Sequence, residues 1–115
     1  MNDCIFCRIV RGEIPADIVA RSADAVAFRD LNPQAPTHVL VVPTRHLAAA
    51  RDAEGEEGAI LLGRTLQLAT RVARDLGLDA NGYRLVANTG AGAGQSVFHL
   101  HVHLLGGRPM GWPPG

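Results

Sequence analysis

The chain is poor in several features, and each shortage excludes a class of protein. It has no lysine, and its eleven arginines balance eleven carboxylates, which gives a formal net charge of zero and a pI of about 7.0. A neutral chain lacks the broad electrostatic attraction on which nonspecific nucleic-acid binding and attachment to a membrane surface depend. We therefore expect neither a nucleic acid nor a membrane as a partner.

Cysteines and long apolar runs are also scarce. Two cysteines in 115 residues cannot form a disulfide framework. The first residues do not show the basic and then apolar pattern of a secretory signal, and no apolar run approaches the roughly 20 residues that span a bilayer. A reducing, cytoplasmic setting is expected. The length predicts one domain over residues 1–115, with a core over 1–109 and a tail over 110–115.

Local patterning predicts an α+β domain. Asp3 is suited to cap a first helix and Gly12 to end it, and a long helix follows from apolar residues at steps of three and four. The predicted elements are a short helix over 4–11, strands over 18–21, 25–30 and 37–42, a long helix over 53–76, and strands over 83–88 and 97–105. With only one long helix between strands, we expect a mainly antiparallel sheet of about five strands.

Three of the five histidines alternate along the last predicted strand. His99, His101 and His103 are separated by apolar residues, so the two-residue period of a strand places the three imidazoles on one face. Consecutive imidazoles would lie about 6.6 Å apart along the strand, and protonating all three would therefore cause electrostatic repulsion. Some partner must therefore fix their protonation.

A glycine-rich segment over residues 89–96 precedes these histidines. Successive glycines allow backbone N–H groups to converge on an anion, and Gln95 and Ser96 add neutral donors. The segment lacks the lysine and the following helix of a Walker motif, and it lacks the context of a dinucleotide fingerprint. The alternatives are a phosphate cradle beside the histidines and an ordinary flexible hairpin.

Residues 95–105 resemble the signature of the histidine-triad (HIT) family, in which three histidines alternate with apolar residues. Further matching segments are residues 14–15, 30–38, 88, 106–108 and 112–115. The segments over 33–38 and 112–115 resemble the nucleoside phosphoramidase branch of that family. The resemblance implies a single HIT domain with the α+β HIT fold, whose antiparallel sheet is extended across a homodimer.

The same resemblance implies a hydrolase that cleaves the P–N bond of a purine nucleoside monophosphoramidate through a nucleotidyl-histidine intermediate. His101 would be the nucleophile, and His103, with His38 nearby, would polarise phosphate oxygens or assist proton transfer to the amine. Ser96 would donate to the phosphate or to the leaving group. No cofactor is required for this chemistry.

Further residues would bind the nucleotide by the same resemblance. Asp30 would accept hydrogen bonds from the ribose hydroxyls, although it could instead cap a strand end. The phosphate would be contacted by Asn88, Gly94, Gln95, Ser96, His101 and His103. The purine would occupy an apolar slot walled by Ile5, Phe6, Ile9, Ile14 and Leu31, unless these residues are simply core.

A second possible site consists of Cys4, Cys7, His46 and His99. Two thiolates and two imidazoles are the ligand set of a tetrahedral structural Zn²⁺, but their spacing fits no standard zinc finger. The zinc assignment therefore rests on resemblance to microbial HIT proteins that carry this cysteine pair. The alternatives are a redox pair, which would need a thioredoxin-like setting, and two inert thiols. If zinc is bound, His99 is a ligand and cannot act as a base.

Other functions remain open at this point. They are hydrolysis of a dinucleoside polyphosphate by the same covalent chemistry, noncatalytic purine nucleotide binding as an adaptor, and a metal enzyme that uses all three triad histidines as ligands. By resemblance, the tail with Trp112 would lie over the active site of the partner subunit, whereas a disordered tail is the alternative. Neither the leaving group nor the choice between adenine and guanine follows from the sequence.

Overall fold

Five antiparallel strands form one sheet, with a short helix on one face and a long helix on the other. The computed structural model of the protein describes residues 4–115, so the predicted cap Asp3 lies outside the described residues. The elements are α1 (Ile5–Val10), β1 (Ile18–Arg21), β2 (Ala25–Arg29), β3 (Thr37–Pro43), α2 (Gly55–Asp75), β4 (Tyr83–Val86) and β5 (Val102–Gly106). The predicted α+β fold with about five antiparallel strands is confirmed.

The strand order β1-β2-β3-β5-β4 brings β3 and β5 together in the middle of the sheet. Leu40 pairs with His103 and His38 pairs with Leu105, so His38 and His103 are diagonal neighbours on one face. Alternate residues of the same strands, such as Val39 and Leu104, point to the other face beneath α2. The register therefore separates the histidine side of the sheet from the α2 side.

The two ends of α1 show why so short a helix forms. Its N-cap is Cys4, whose Sγ accepts a hydrogen bond from the backbone N–H of Cys7 at 3.4 Å. Gly12 follows the helix with a φ of +76°, a left-handed conformation that favours glycine, as the sequence predicts. Phe6 and Ile9 then pack into the core on the histidine side of the sheet.

The predicted strand over 97–105 is too long at its start, since ladder pairing begins only at Val102. Before that point, Leu100 donates its N–H to the carbonyl of Leu47 at 2.6 Å, outside any strand ladder. The carbonyl of His99 accepts a hydrogen bond from the ring of His101 rather than from a neighbouring strand. Phe98 is half exposed and does not share the buried face of Leu100, Val102 and Leu104.

The long helix α2 has one buried stripe, formed by Gly58, Thr65, Leu68, Ala69, Val72 and Ala73, and the last four pack into the core against the sheet. Its first turns carry Glu56 and Glu57 and its last turn carries Arg74, which complements the helix dipole as the sequence predicts. Within residues 4–115, neither helix is long and apolar enough to cross a membrane.

Two glycines of α2 should respond in opposite ways to alanine. A Cβ at Gly58 would lie 2.5 Å from the backbone carbonyl carbon of Ala53, whereas a Cβ at Gly63 meets nothing within 4 Å. We expect Gly63→Ala to stabilise the protein by about 1 kcal/mol through helix propensity. Gly58→Ala should destabilise it by about 1 to 3 kcal/mol because of the clash. Urea unfolding of both variants checks this, and stabilisation by Gly58→Ala would contradict it.

Candidate active site and metal centre

A chain of hydrogen bonds fixes which ring nitrogen carries the proton in neutral His38 and in neutral His103. The backbone N–H of Gln34 lies 3.0 Å from Nδ1 of His38 and donates to it, so the proton of a neutral His38 ring is on Nε2. That Nε2 lies 2.9 Å from Nδ1 of His103 and donates to it. The neutral His103 ring therefore carries its own proton on Nε2, where it is an available donor.

His101 has the complementary arrangement. Its Nδ1 lies 2.8 Å from the carbonyl oxygen of His99, and because a carbonyl can only accept, Nδ1 carries the proton. The Nε2 of neutral His101 is then a lone pair. The ring packs edge-on against Phe6 at 5.1 Å and lies 5.0 Å from the ring of His103, measured between centroids. A nucleophilic nitrogen and a neutral donor therefore sit on adjacent rings.

Burial keeps the supporting rings uncharged. Desolvation is the main cause that lowers the pKa of His103 to about 4, the charges of His101 and His38 lower it further, and Asp30 opposes the shift. Desolvation also lowers the pKa of His38, again against Asp30, whose Oδ2 lies 3.5 Å from Nε2 of His38. At neutral pH both rings are therefore neutral, as the hydrogen-bond chain requires.

The glycine-rich loop between β4 and β5 is held by one side chain. The Oε1 of buried Gln95 accepts from the N–H of Gly90, and its Nε2 donates to the carbonyls of Ala48 and Val97 at 2.6 and 3.2 Å. The amide is thus fully engaged within the protein. Gly94 has a φ of +97°, and Ser96 is exposed at the end of the loop. The hydroxyl of Ser96 is accordingly better placed than the Gln95 amide to meet a ligand.

The four residues of the predicted metal set come together. Nδ1 of His99 lies 3.3 Å from Sγ of Cys4, 3.4 Å from Sγ of Cys7 and 3.2 Å from Nδ1 of His46. Nδ1 of His46 lies 3.3 Å from Sγ of Cys7, and all four atoms fall within 4.8 Å of one another. A tetrahedral zinc with bonds of about 2.0 to 2.3 Å holds its ligand atoms about 3.3 to 3.8 Å apart. The donor set and its spacing fit such an ion.

The ring of His99 is oriented for this role. Its Nε2 lies 2.9 Å from the carbonyl oxygen of Pro43, which fixes the proton on Nε2 and leaves the Nδ1 lone pair facing the thiols. Burial, with the neighbouring charges of His46 and His101, lowers the pKa of His99 to about 4 against the hydrogen bond to Pro43. His99 thus joins both sites, since its side chain faces the cysteines and its carbonyl holds His101.

Comparison with known proteins identifies the family of this chain. The family model described as the HIT domain matches residues 11–110. This chain belongs to the HIT family. It is 53% identical to an uncharacterised HIT-like protein of Synechocystis, covering 99% of this chain and 98% of that one. It is also 45% identical to the purine nucleoside phosphoramidase of Escherichia coli K12, covering 96% and 92%. A crystal structure of a HIT family hydrolase from Legionella pneumophila superimposes with a TM-score of 0.93 at 49% identity, covering 98% and 100%.

The remaining residues that were predicted to bind a nucleotide in this HIT protein differ in how far they are buried. Asp30 is partly buried, and its Oδ1 accepts from the N–H of Asn32 at 2.7 Å, so the predicted alternative of a strand-end cap is present. Phe6 and Ile9 belong to the core, and Ile14 packs against it. In contrast, Leu31 is 99% exposed and Ile5 is half exposed. Any apolar slot for a base is therefore open on the Leu31 side.

The metal-enzyme alternative does not suit the HIT protein. Among residues 4–115, the potential metal-binding groups are Cys4, Cys7, His46 and His99 together, and Asp30, His38 and His103 together. The first and third triad histidines thus belong to different groups, and the middle one belongs to neither. The described residues offer no point at which all three triad rings could share an ion.

The buried histidines should make the HIT protein sensitive to mild acid. Unfolding returns the pKa of His103 from about 4 to its usual 6.5, so between these values the unfolded chain binds more protons. The free energy of unfolding should therefore fall as the pH drops from 6.5 towards 4, with no contribution from this ring above 6.5. Urea titrations between pH 7 and 5 check this against His103→Gln, whose slope should be shallower. Equal slopes would contradict it.

Proposed function

We propose that this protein hydrolyses purine nucleoside monophosphoramidates at the P–N bond and releases a purine nucleoside monophosphate and an amine. The observation that carries the proposal is the pairing of an unprotonated Nε2 on His101 with an adjacent Nε2–H on His103. The lone pair on the first nitrogen is suited to attack phosphorus, and the N–H on the second is suited to donate a hydrogen bond to a phosphate oxygen. The similarity to the E. coli purine nucleoside phosphoramidase supports the substrate class.

The reaction balances in two steps. The Nε2 lone pair of His101 forms a bond to the α-phosphorus while the bond from phosphorus to the amine breaks. The ring gains positive charge, which the carbonyl of His99 stabilises through the proton on Nδ1. The departing nitrogen takes one proton from solvent, relayed through the Ser96 hydroxyl, while the Nε2–H of His103 donates a hydrogen bond to a phosphate oxygen. Water then attacks phosphorus and releases His101, and the proton that the water loses returns to solvent.

The nucleotide would lie between the triad and the chain that follows β2. The carboxylate of Asp30 would accept hydrogen bonds from the ribose hydroxyls through the oxygen lone pairs that its contacts with Asn32 and His38 do not use. Leu31, Ile5, Ile14 and the edge of Phe6 would line the base. Asn88, Gly94 and Ser96 would meet the phosphate, with Gln95 acting as the brace that shapes the loop.

We also propose that Cys4, Cys7, His46 and His99 hold a structural Zn²⁺. Four protein ligands leave no open coordination position, so the ion would supply cross-linking rather than Lewis-acid chemistry. The ligands would join the start of α1, the loop after β3 and the segment before β5. A cytoplasmic setting would keep the two thiols reduced for this purpose.

A homodimer with a shared active-site rim completes the proposal. The Nη2 of Arg84 donates to the carbonyl of Gly111 at 2.7 Å, which anchors the start of the tail, while Trp112 beyond it is 84% exposed. A large aromatic held in this way suits a contact with a second copy. In the proposed dimer the tail lies over the partner's site and influences the choice of leaving group.

The test of function compares three ligands under identical conditions. We expect turnover of an adenosine phosphoramidate to AMP and amine to exceed the cleavage of a diadenosine polyphosphate. Preference for the polyphosphate would favour the P–O–P alternative. Binding of AMP without turnover of either substrate would favour the adaptor alternative. Light scattering on the same sample gives the mass that decides between monomer and dimer.

A further inference from the structure

A groove rich in arginine lies on the α2 side of the sheet, away from the histidines. It has a volume of about 560 Å³ and runs between the β1–β2 turn, residues 22–24, and the C-terminal half of α2. Arg64, Arg71 and Arg74 line it from the helix. The proposed hydrolase uses none of these residues.

The helical period produces the row of guanidinium groups. Arg64, Gln67, Arg71 and Arg74 follow one another at steps of three, four and three, so they form one stripe beside the buried face of α2. Along the helix axis, Arg64 and Arg71 are about 10 Å apart and Arg71 and Arg74 about 4.5 Å apart. The row is therefore long enough to meet several negative groups at once.

The groove is cationic within a chain that is neutral overall. Three arginines and one carboxylate, that of Asp24, line it, and Asp79 outside the lining pairs with Arg74, so the groove still keeps a net positive charge. The existing ion pairs are long, at 3.9 Å from Arg64 to Asp24 and 3.8 Å from Arg74 to Asp79. Exposed ion pairs at such distances contribute little to stability, and their arginines can readily pair with another anion. An incoming anion would meet weak competition.

Other contacts orient the guanidinium groups without using all their donors. Nη1 of Arg64 donates to Oε1 of Gln67 at 3.2 Å, and Nη2 of Arg71 donates to the carbonyl of Arg21 at 3.3 Å. Each guanidinium has five N–H donors in a planar fork that matches phosphate oxygens. The contact with Arg21 also ties Arg71 to the strand at the groove wall. The Asp24 carboxylate repels anions at one end and directs them towards Arg71 and Arg74.

We propose that this groove binds a short phosphate chain, the chemistry shared by inorganic tripolyphosphate and the phosphates of a nucleoside triphosphate. Spaced guanidinium groups favour a linear oligoanion over a single phosphate, because one phosphate cannot reach both ends of the row. The volume of about 560 Å³ exceeds what one phosphate fills and accommodates a chain. This site would be separate from the histidine site and would not depend on its activity.

The test is calorimetry with tripolyphosphate at low salt, together with backbone amide NMR to locate the ligand. We expect saturable shifts at residues 21–24 and 64–74 and a dissociation constant that rises about tenfold or more in the double variant Arg71→Gln/Arg74→Gln. The matched control Arg8→Gln/Arg11→Gln removes the same charge from exposed positions in and beside α1. It should leave the affinity nearly unchanged. A parallel titration with ATP shows whether a nucleoside adds to the binding.

Three results would overturn the site. They are no saturable shift at millimolar tripolyphosphate, shifts confined to the loop and triad over residues 89–103, and equal weakening by both double variants, which would indicate general charge attraction. Phosphoramidate hydrolysis should be the same in the wild type and Arg71→Gln/Arg74→Gln. Failure of the groove and failure of the hydrolase are therefore distinguishable.

Discussion

Replacing His101 by alanine is expected to reduce hydrolysis of an adenosine phosphoramidate by about 10⁴-fold or more, because the nucleophile of a covalent mechanism is removed. The lone pair on Nε2 exists because Nδ1 donates to the carbonyl of His99 at 2.8 Å. Alanine leaves neither a nucleophile nor a group that can carry the nucleotide. Intact-mass analysis should detect an adenylylated intermediate on the wild type and none on His101→Ala.

The matched variant His103→Gln separates the nucleophile from its neighbour. A glutamine amide can still donate a hydrogen bond to a phosphate oxygen, so we expect a smaller loss and continued formation of the adduct. Thermal unfolding and AMP binding show whether each variant is folded, since the ring of His101 packs on Phe6. Turnover that is unaffected in His101→Ala would contradict the assignment. A wild type inert towards phosphoramidates would shift attention to polyphosphates and then to nucleotide binding alone.

Much of the site follows from the sequence because its signals are local. Alternation of His101 and His103 with apolar residues predicts a shared face, and Gly12 and the charges of α2 predict helix ends that the structure confirms. Each depends on a period or on a conformation that few residues adopt. The family resemblance extends these signals to His38, which the register brings to His103.

What the sequence does not predict depends on backbone groups that any residue possesses. The tautomers of His38 and His99 are fixed by the N–H of Gln34 and the carbonyl of Pro43, which have no sequence signature. The start of β5 is shifted for a related reason, since the His99 carbonyl accepts from a ring rather than from a strand. The hydrogen bond from Gln95 to the carbonyl of Ala48 could not be predicted, because the sequence does not show that Ala48 lies beside the loop.

Metal removal should have the second large effect. We expect the native protein to retain about one zinc per chain and a strong chelator to lower the Tm by about 10 °C or more, since a structural metal contributes directly to folding. The reason lies in α1, a helix of six residues that is too short to be stable alone. Its start would be joined to the loop at His46 and to the chain at His99. Zinc content by mass spectrometry and Tm with and without chelator measure this.

Two variants of α1 make the zinc test specific. Cys7→Ser should lose zinc and show no further fall in Tm on chelation, whereas Arg8→Ala, exposed on the same helix, should keep both the metal and the response. Because no member of the cluster donates to the phosphate site, chelation should reduce turnover only through the position of the His99 carbonyl, and less than His101→Ala does. A wild type that retains no zinc after reconstitution, with its fold intact, would mean that the two thiols are inert. Complete loss of chemistry on chelation with an unchanged Tm would contradict a purely structural role for the ion.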